Sequence, residues 1–333
     1  MEQVWEERDF KSIGSRDNPC WQSDIKDYLE CSLRWSFKKK VPREARYVSG
    51  HAAIGSAVHK AVADFFTKGK TPSTIRDLAE EEIDKSKEKI GGLNSDVYWR
   101  TGSSIDKEIN TFDLVLDKFY TKEYNLLLQS SEFSRVRSYC EIAFLVNIGG
   151  YWFEGTVDHI IADGSGLTMR DYKTGINKPS QFLLDNDYQF FIYSCAALSG
   201  EFVYNMEPIS FKTFPMSFQY NMRGHEVYKK KTRVGIDEKG TIHRMPGEEK
   251  YDPRFRSNMT ASKIPVMSKY LTEVVNDMRR GKFFPSLPAL GGCTGRCQFN
   301  DMCEAGLSEP ISEATIYTNL WNREVEGCTL GVQ

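Results

Sequence analysis

No stretch of the chain is apolar over the length that a membrane span needs, so no transmembrane role is expected. An excess of one charge is missing too. Lys and Arg number 44 against 46 Asp and Glu, giving a net charge of −2 and a pI near 6.3. Proteins that coat nucleic acid carry a basic surplus, so any nucleic-acid contact here must rest on local patches. No internal repeat is present, and no Gly-x-x-x-x-Gly-Lys-Ser/Thr loop, which excludes a P-loop motor. The compact Cys-x-x-x-Cys-x-x-Cys of radical enzymes is absent as well, which sets aside an RNA-directed or tRNA-modifying radical role. The charged opening, Met1-Glu-Gln-Val-Trp-Glu-Glu-Arg-Asp9, is no signal-peptide pattern. The expected location is therefore the reducing cytoplasm, or the host cytoplasm for a viral protein. An apolar fraction of 40%, with 20 Phe and 16 Tyr, argues against disorder and for a substantial core.

What is present is an acidic run in the middle of the chain: Gly155-Thr-Val-Asp158, then Asp171-Tyr-Lys173-Thr-Gly175. Asp163-Gly-Ser-Gly166 reads as a turn between two strands, so the spacing predicts a β-hairpin. Residues two apart on a strand share a face, which puts Asp171 and Lys173 together and brings Asp158 back beside them. Two carboxylates can hold a hard divalent cation, and a nearby ammonium can orient a water or stabilise a phosphate. The competing reading is a solvated surface hairpin. Downstream, Gln189 and Tyr193 form an i, i+4 pair on a predicted helix. Upstream, Ile54, Val58, Val62 and Phe65 or Phe66 predict the buried stripe of a helix that also carries His59, which could equally be a packed core residue.

The ordered set Gly55-x-x-x-His59, Gly155-x-x-Asp158, Asp171-x-Lys173-Thr-Gly175 and Gln189-x-x-x-Tyr193 resembles the PD-(D/E)XK nuclease superfamily, in its RecB-like branch. The resemblance spans roughly residues 21 to 305. It implies an α/β fold: a restriction-endonuclease-like core with a central mixed β-sheet flanked by helices, plus a helical lobe and a C-terminal iron–sulfur clasp. It also implies that His59, Asp158, Asp171 and the Tyr172 carbonyl ligate Mg²⁺ or Mn²⁺, with Lys173 as the catalytic lysine. Gln189 and Tyr193 are then expected to contact the DNA backbone or its end.

Eight cysteines are present. In a reducing compartment, clustered thiols point to metal rather than disulfides. Cys293, Cys297 and Cys303 form such a cluster and can wrap zinc or an iron–sulfur cluster, given a fourth ligand. Cys31 is the candidate, with a buried free thiol as the plainer reading. Iron–sulfur members of the same branch, among them CRISPR-associated exonucleases, resemble this chain in placing one cysteine early and three late. That likeness implies a [4Fe-4S] cluster on Cys31, Cys293, Cys297 and Cys303. Three residues separate Cys293 from Cys297 where the usual spacing is two. Cys20, Cys140, Cys195 and Cys328 read as structural or spare thiols.

Basic patches occur at Arg34 with Lys38-Lys39-Lys40 and Arg43, at Lys229 to Arg233, and at Arg279-Arg280. Trp35, Phe37 and Tyr47 interleave with the first, so Arg34 and Trp35 are expected to hold single-stranded DNA. Each patch could also be a solvated face. A single nuclease domain over 1–333 is expected: N-terminal helices at 21–70, among them one amphipathic helix over 21–40, a helical lobe at 71–135, and a catalytic core at 136–220. An insertion or loop at 221–260, a C-terminal helix and cysteine cluster at 261–305, and a tail at 306–333 complete it. The activity expected is a metal-dependent DNA exonuclease on single-stranded or frayed ends, in recombination, repair or phage and CRISPR-related processing, with a helicase or recombination protein as partner. The alternative is a non-catalytic DNA-binding adaptor with the same fold, which would have lost the lysine or a carboxylate.

Overall fold

The computed structural model describes residues 10–40, 48–89, 97–99, 103–129, 137–163, 166–173, 180–209, 216–221, 233–236, 242–245, 255–257 and 263–284. Strand β1 (Cys20–Trp21) leads into helices α1 (Gln22–Glu30) and α2 (Ser32–Lys40). Strand β2 (Val48–Ser49) is followed by α3 (Gly50–Lys68), α4 (Arg76–Lys89), β3 (Val97–Tyr98) and α5 (Ile105–Gln129). Next come β4 (Arg137–Ile148), β5 (Tyr151–Asp163), β6 (Gly166–Tyr172), α6 (Gln181–Asp185) and α7 (Tyr188–Ser199). Strands β7 (Glu201–Tyr204), β8 (Glu207–Ile209), β9 (Met216–Asn221), β10 (Arg233–Ile236), β11 (Ile242–Met245) and β12 (Phe255–Ser257) precede α8 (Ile264–Arg279).

The main sheet runs in the order β12-β9-β6-β5-β4-β7-β8. It is mixed. β4, β5 and β6 form an antiparallel meander, β9 lies parallel to β6, and β1 lies parallel to β5. The β4–β5 register follows from the Gly149-Gly150 turn, where both residues have positive φ (61° and 91°) and Ile148 pairs with Tyr151. A two-residue hairpin with left-handed backbone at both positions strongly favours glycine. Gly149 has a second constraint, since a Cβ there would collide with Thr272 of α8.

Two apolar clusters flank the sheet. In the first, Ile142, Phe144, Val146 and Ile148 alternate inward along β4 and meet α7 and the Leu271, Val274, Val275 and Met278 face of α8. Each such side chain contributes about 1.5–3 kcal/mol when buried. Helix α7 is buried from Phe190 to Ala197, on every side, because its sequence is almost wholly apolar. In the second cluster, Ile54, Ala57, Val58, Ala61 and Val62 of α3 pack on Ile75 and Ala79, and on Ile109, Phe112, Val115, Leu116 and Phe119 of α5. Helices α3, α4 and α5 together make a helical lobe. Tyr172, at the end of β6, belongs to it and ties the lobe to the sheet.

Two expectations change. The helix foreseen over 21–40 is two helices, broken at Cys31, whose backbone is extended (φ −164°, ψ 103°). The break frees the first amides of α2, and one of them, Leu33 N–H, donates to the Phe284 carbonyl at 3.2 Å. The insertion foreseen at 221–260 carries the β10–β11 hairpin and β12, which pairs with β9 at the sheet edge. Strands of three or four residues are too short to show periodicity. No helix among the described residues is long and apolar enough to cross a membrane.

Candidate active site

The predicted hairpin is present, with Asp163 paired to Gly166 and His159 to Arg170. The ladder stops there. One step further, the Tyr172 N–H donates to Asp158 Oδ2 at 2.7 Å, so a carboxylate takes the place of a ladder carbonyl. The strands part at this point, with Asp158 9% and Asp171 1% exposed. Lys173 follows directly, its Nζ 2.5 Å from Asp171 Oδ2.

Helix α3 supplies His59. Ser49 caps the helix by accepting from Ala52 N–H at 3.4 Å, and Gly69 ends it in the left-handed conformation. With its apolar stripe fixed on α5, the helix turns His59 towards β6. His59 Nε2 lies 2.9 Å from the Tyr172 carbonyl oxygen, and Nδ1 lies 3.7 Å from Asp158 Oδ1. Glu141 of β4, which no motif singled out, completes the group, its Oε1 3.9 Å from His59 Nδ1.

Behind the carboxylates lies a hydrogen-bonded chain. Lys173 Nζ donates to Gln189 Oε1 at 3.1 Å, and Gln189 Nε2 donates to Asp171 Oδ1. The same nitrogen donates to the Tyr193 hydroxyl at 2.8 Å, and that hydroxyl donates to the Thr156 carbonyl at 3.0 Å. Gln22, at the start of α1, donates to the Thr156 carbonyl at 3.3 Å. The i, i+4 pair on α7 thus orients Asp171 and Lys173. Tyr193 is fully buried, so the expectation that it touches DNA is corrected: its surroundings are protein on every side.

The electrostatics follow from burial among like charges. Burial first, then the Asp171 and Glu141 carboxylates, push Asp158 up. Burial and Asp171 likewise raise Glu141, against the pull of His59. For His59 and Lys173 burial opposes the charge. The neighbouring carboxylates outweigh it and raise both, so Lys173 stands as an ammonium. His159 is different. It is fully buried against Phe66 and Tyr172, and burial and Arg170 hold it well below the usual range. Its ring bridges Ser138 Oγ and the Tyr172 hydroxyl, both at 2.7 Å, and so fixes the Tyr172 side chain.

These residues fit a divalent cation. One ligand atom each from His59, Glu141 and Asp158 lie within 4.8 Å of one another, in a group dominated by carboxylates. Among the other expected ligands, Asp171 is engaged by Lys173 and Gln189, and the Tyr172 carbonyl faces His59.

The first basic patch departs from expectation. Trp35 is 1% exposed, packed against Phe10, Tyr28 and Phe283, with its Nε1–H on Asp24. It cannot stack on a base. Arg34 pairs with Glu30 at 2.6 Å and Asp27 at 3.5 Å, Lys38 with Asp27 and Lys39 with Asp24, so these cations fasten α2 to α1. Cys31 Sγ accepts from Arg34 N–H at 3.4 Å and lies 3.9 Å from the Phe284 carbonyl. Cys293, Cys297 and Cys303 lie outside the described residues, as do Thr174 and Gly175. Cys20, Cys140 and Cys195 are buried free thiols.

Sequence reasoning missed Glu141, His159 and Gln22. For Glu141 a signal existed. The Gly149-Gly150 turn sets a register in which residue 141 stands opposite residue 158. No curated protein matches the chain. A family model of the PD-(D/E)XK nuclease superfamily matches residues 22–304, which contain every one of these residues. With the split hairpin, its paired aspartates and the adjacent lysine, the chain belongs to the PD-(D/E)XK nuclease superfamily, whose members are metal-dependent nucleases.

Proposed function

We propose that the chain is a DNA exonuclease acting on single-stranded or frayed ends. One observation carries the catalytic part of this reading: the Lys173 ammonium 2.5 Å from Asp171, beside Asp158 and His59. An adaptor that had lost catalysis would not need to hold a lysine against buried carboxylates. His59, Asp158 and Asp171 would hold Mg²⁺ or Mn²⁺ next to the Tyr172 carbonyl. A cation bound there supplies Lewis-acid polarisation of the phosphodiester. Lys173 keeps its proton and presents positive charge to the reacting phosphate or to its attacking water. Gln189 fixes the lysine and Asp171 in one geometry, and Tyr193 fixes Gln189.

Action on ends rather than at internal sites rests on the likeness of the Gly55–His59, Asp171–Gly175 and Gln189–Tyr193 motifs to the RecB-like branch. So does a role in recombination, repair or phage and CRISPR-related processing beside a helicase or recombination protein. An iron–sulfur cluster on Cys31, Cys293, Cys297 and Cys303 belongs to the same reading. It is supported by the docking of Phe284, which precedes the cysteine trio in the chain, against Cys31 and Ser32. The test is cleavage of 5′- and 3′-end-labelled single-stranded DNA, linear and circular, with Mg²⁺ or Mn²⁺. Degradation of linear DNA alone, lost with EDTA and in Lys173→Ala, is expected. Equal cleavage of circles would replace the exonuclease with an endonuclease.

A further inference from the structure

Gln22 lies outside the four motifs, yet it reaches the centre of the site. Strand β1 pairs with β5 in the register Cys20 with Phe153 and Trp21 with Glu154, and the chain then turns into α1. Gln22, the next residue, is set down beside Gly155 and Thr156. A Cβ on Gly155 would stand 2.8 Å from Gln22 Cδ and 2.9 Å from Gln22 Oε1, so glycine at 155 leaves room for this amide.

The two ends of the amide are treated differently. Gln22 Nε2 donates to the Thr156 carbonyl at 3.3 Å and to the Tyr193 hydroxyl at 3.4 Å. A tyrosine hydroxyl offers one proton and two lone pairs. In Tyr193 the proton goes to the Thr156 carbonyl at 3.0 Å, one lone pair takes Gln189 Nε2 at 2.8 Å, and the other takes Gln22. Asp171 Oδ1 stands 3.5 Å from the same hydroxyl. Without Gln22 the hydroxyl can turn its proton to that oxygen, the atom that Gln189 Nε2 holds. Gln22 Oε1, by contrast, is buried with no hydrogen-bond partner among the described residues. Turning the amide over would set this oxygen against the Thr156 carbonyl, so its orientation is fixed. A buried acceptor left unpaired lowers stability, so the amide is held here for its N–H rather than for the fold.

We infer that Gln22 is a positioning residue of the cleavage reaction, acting through the Tyr193 hydroxyl on Gln189, Asp171 and Lys173. The inference rests on the nuclease reading above and adds to it a residue of the first helix. A purely structural place would be filled as well by an apolar side chain of the same length, which removes the unpaired oxygen together with the N–H. A positioning place would not.

The test is single-turnover cleavage of end-labelled single-stranded DNA by the full chain in Mn²⁺. Gln22→Met keeps the length and unbranched shape and removes the amide. Gln22→Asn keeps an amide one methylene short of the hydroxyl. Both should slow cleavage by at least about threefold, the scale of one neutral hydrogen bond. DNA affinity in Ca²⁺ and Mn²⁺ affinity by calorimetry should stay at their wild-type values, and Gln22→Met should melt no lower than the wild type. In a Tyr193→Phe background Gln22→Met should add no further slowing, because its route passes through the missing hydroxyl. Wild-type rate in either variant, slowing carried over in full to the Tyr193→Phe background, or a lower melting temperature in Gln22→Met would overturn the inference and leave the nuclease reading intact. A wild-type chain that cleaves no DNA in Mn²⁺ or Mg²⁺ would overturn both.

Discussion

His59 Nε2 and the carbonyl oxygen of Tyr172 lie 2.9 Å apart across 113 residues of chain. The contact joins the helical lobe to the sheet at the point where β5 and β6 separate. Tyr172 carries much of this junction. Its amide holds Asp158, its carbonyl meets His59, its hydroxyl meets His159, and its ring packs on Phe119. The site therefore depends on two separately packed cores remaining in register.

Lys173→Ala should lower the cleavage rate by about 10²-fold or more, because an ammonium poised at the reacting phosphate acts on the transition state. DNA affinity should hardly change. Single-turnover cleavage and a binding titration in Ca²⁺ separate the two. A variant that cleaves at the wild-type rate would remove Lys173 from the chemistry.

The metal-free protein should lose stability as the pH rises towards neutrality. Asp158 moves from 3.8 to about 7 in the folded state, and Glu141 and His59 also move up. A carboxyl with a raised folded pKa binds its proton more tightly when folded, so its contribution is full at low pH and falls as pH rises through that window. Melting in EDTA should therefore be lower at about pH 7.5 than at about pH 5.5, with Mn²⁺ restoring it at the higher pH. Asp158→Asn should flatten the slope and abolish the Mn²⁺ response. An identical slope in that variant would place the titrating groups elsewhere.

Tyr193→Phe should slow cleavage several-fold without weakening DNA binding, since the hydroxyl holds Gln189 and Thr156 inside the protein. The lost hydrogen bonds leave buried partners and cost about 1–3 kcal/mol of stability. Reduced DNA affinity at unchanged rate would restore a direct contact role.

The hairpin, its two aspartates, the lysine and the His59 helix were legible because glycine turns, strand parity and helical periodicity are local signals. Tyr193 was misplaced for a reason visible in its own helix. Phe190 to Leu198 is apolar on all sides, so a tyrosine within it has to point into protein. Trp35 beside three lysines reads as a nucleic-acid platform, yet the same composition serves a buried aromatic cluster rimmed by cations. Lys39 lies 5.7 Å from the Trp35 ring, and Lys40 lies 5.8 Å from Phe10 and 6.0 Å from Phe283. The left-handed backbone at Glu141 (φ 54°) had no local signal, because glutamate has no preference for it.

Cys31→Ser should bleach an anaerobically purified brown protein and lower its melting temperature. The argument begins with the helix break. Cys31 leaves the helical path, and Ser32 beside it meets residue 284 twice, accepting from the Phe284 amide at 2.7 Å and donating to its carbonyl at 3.1 Å. Tyr28 OH holds the Lys282 carbonyl at 2.6 Å, and Phe283 enters the Trp35 cluster. Residues 282 to 284 are thus held beside Cys31 by protein contacts. A cluster closing the loop of chain from Cys31 to Cys293, Cys297 and Cys303 restrains the unfolded state and adds its binding free energy to folding. Ser32→Ala, which weakens the docking but keeps every thiol, should retain the colour and melt at a temperature between the wild type and Cys31→Ser. Visible absorption, iron and zinc content, and melting read all three proteins. Stoichiometric zinc in a colourless wild type would replace iron–sulfur with zinc while keeping the clasp. A colourless, metal-free protein melting identically to Cys31→Ser would remove the clasp itself.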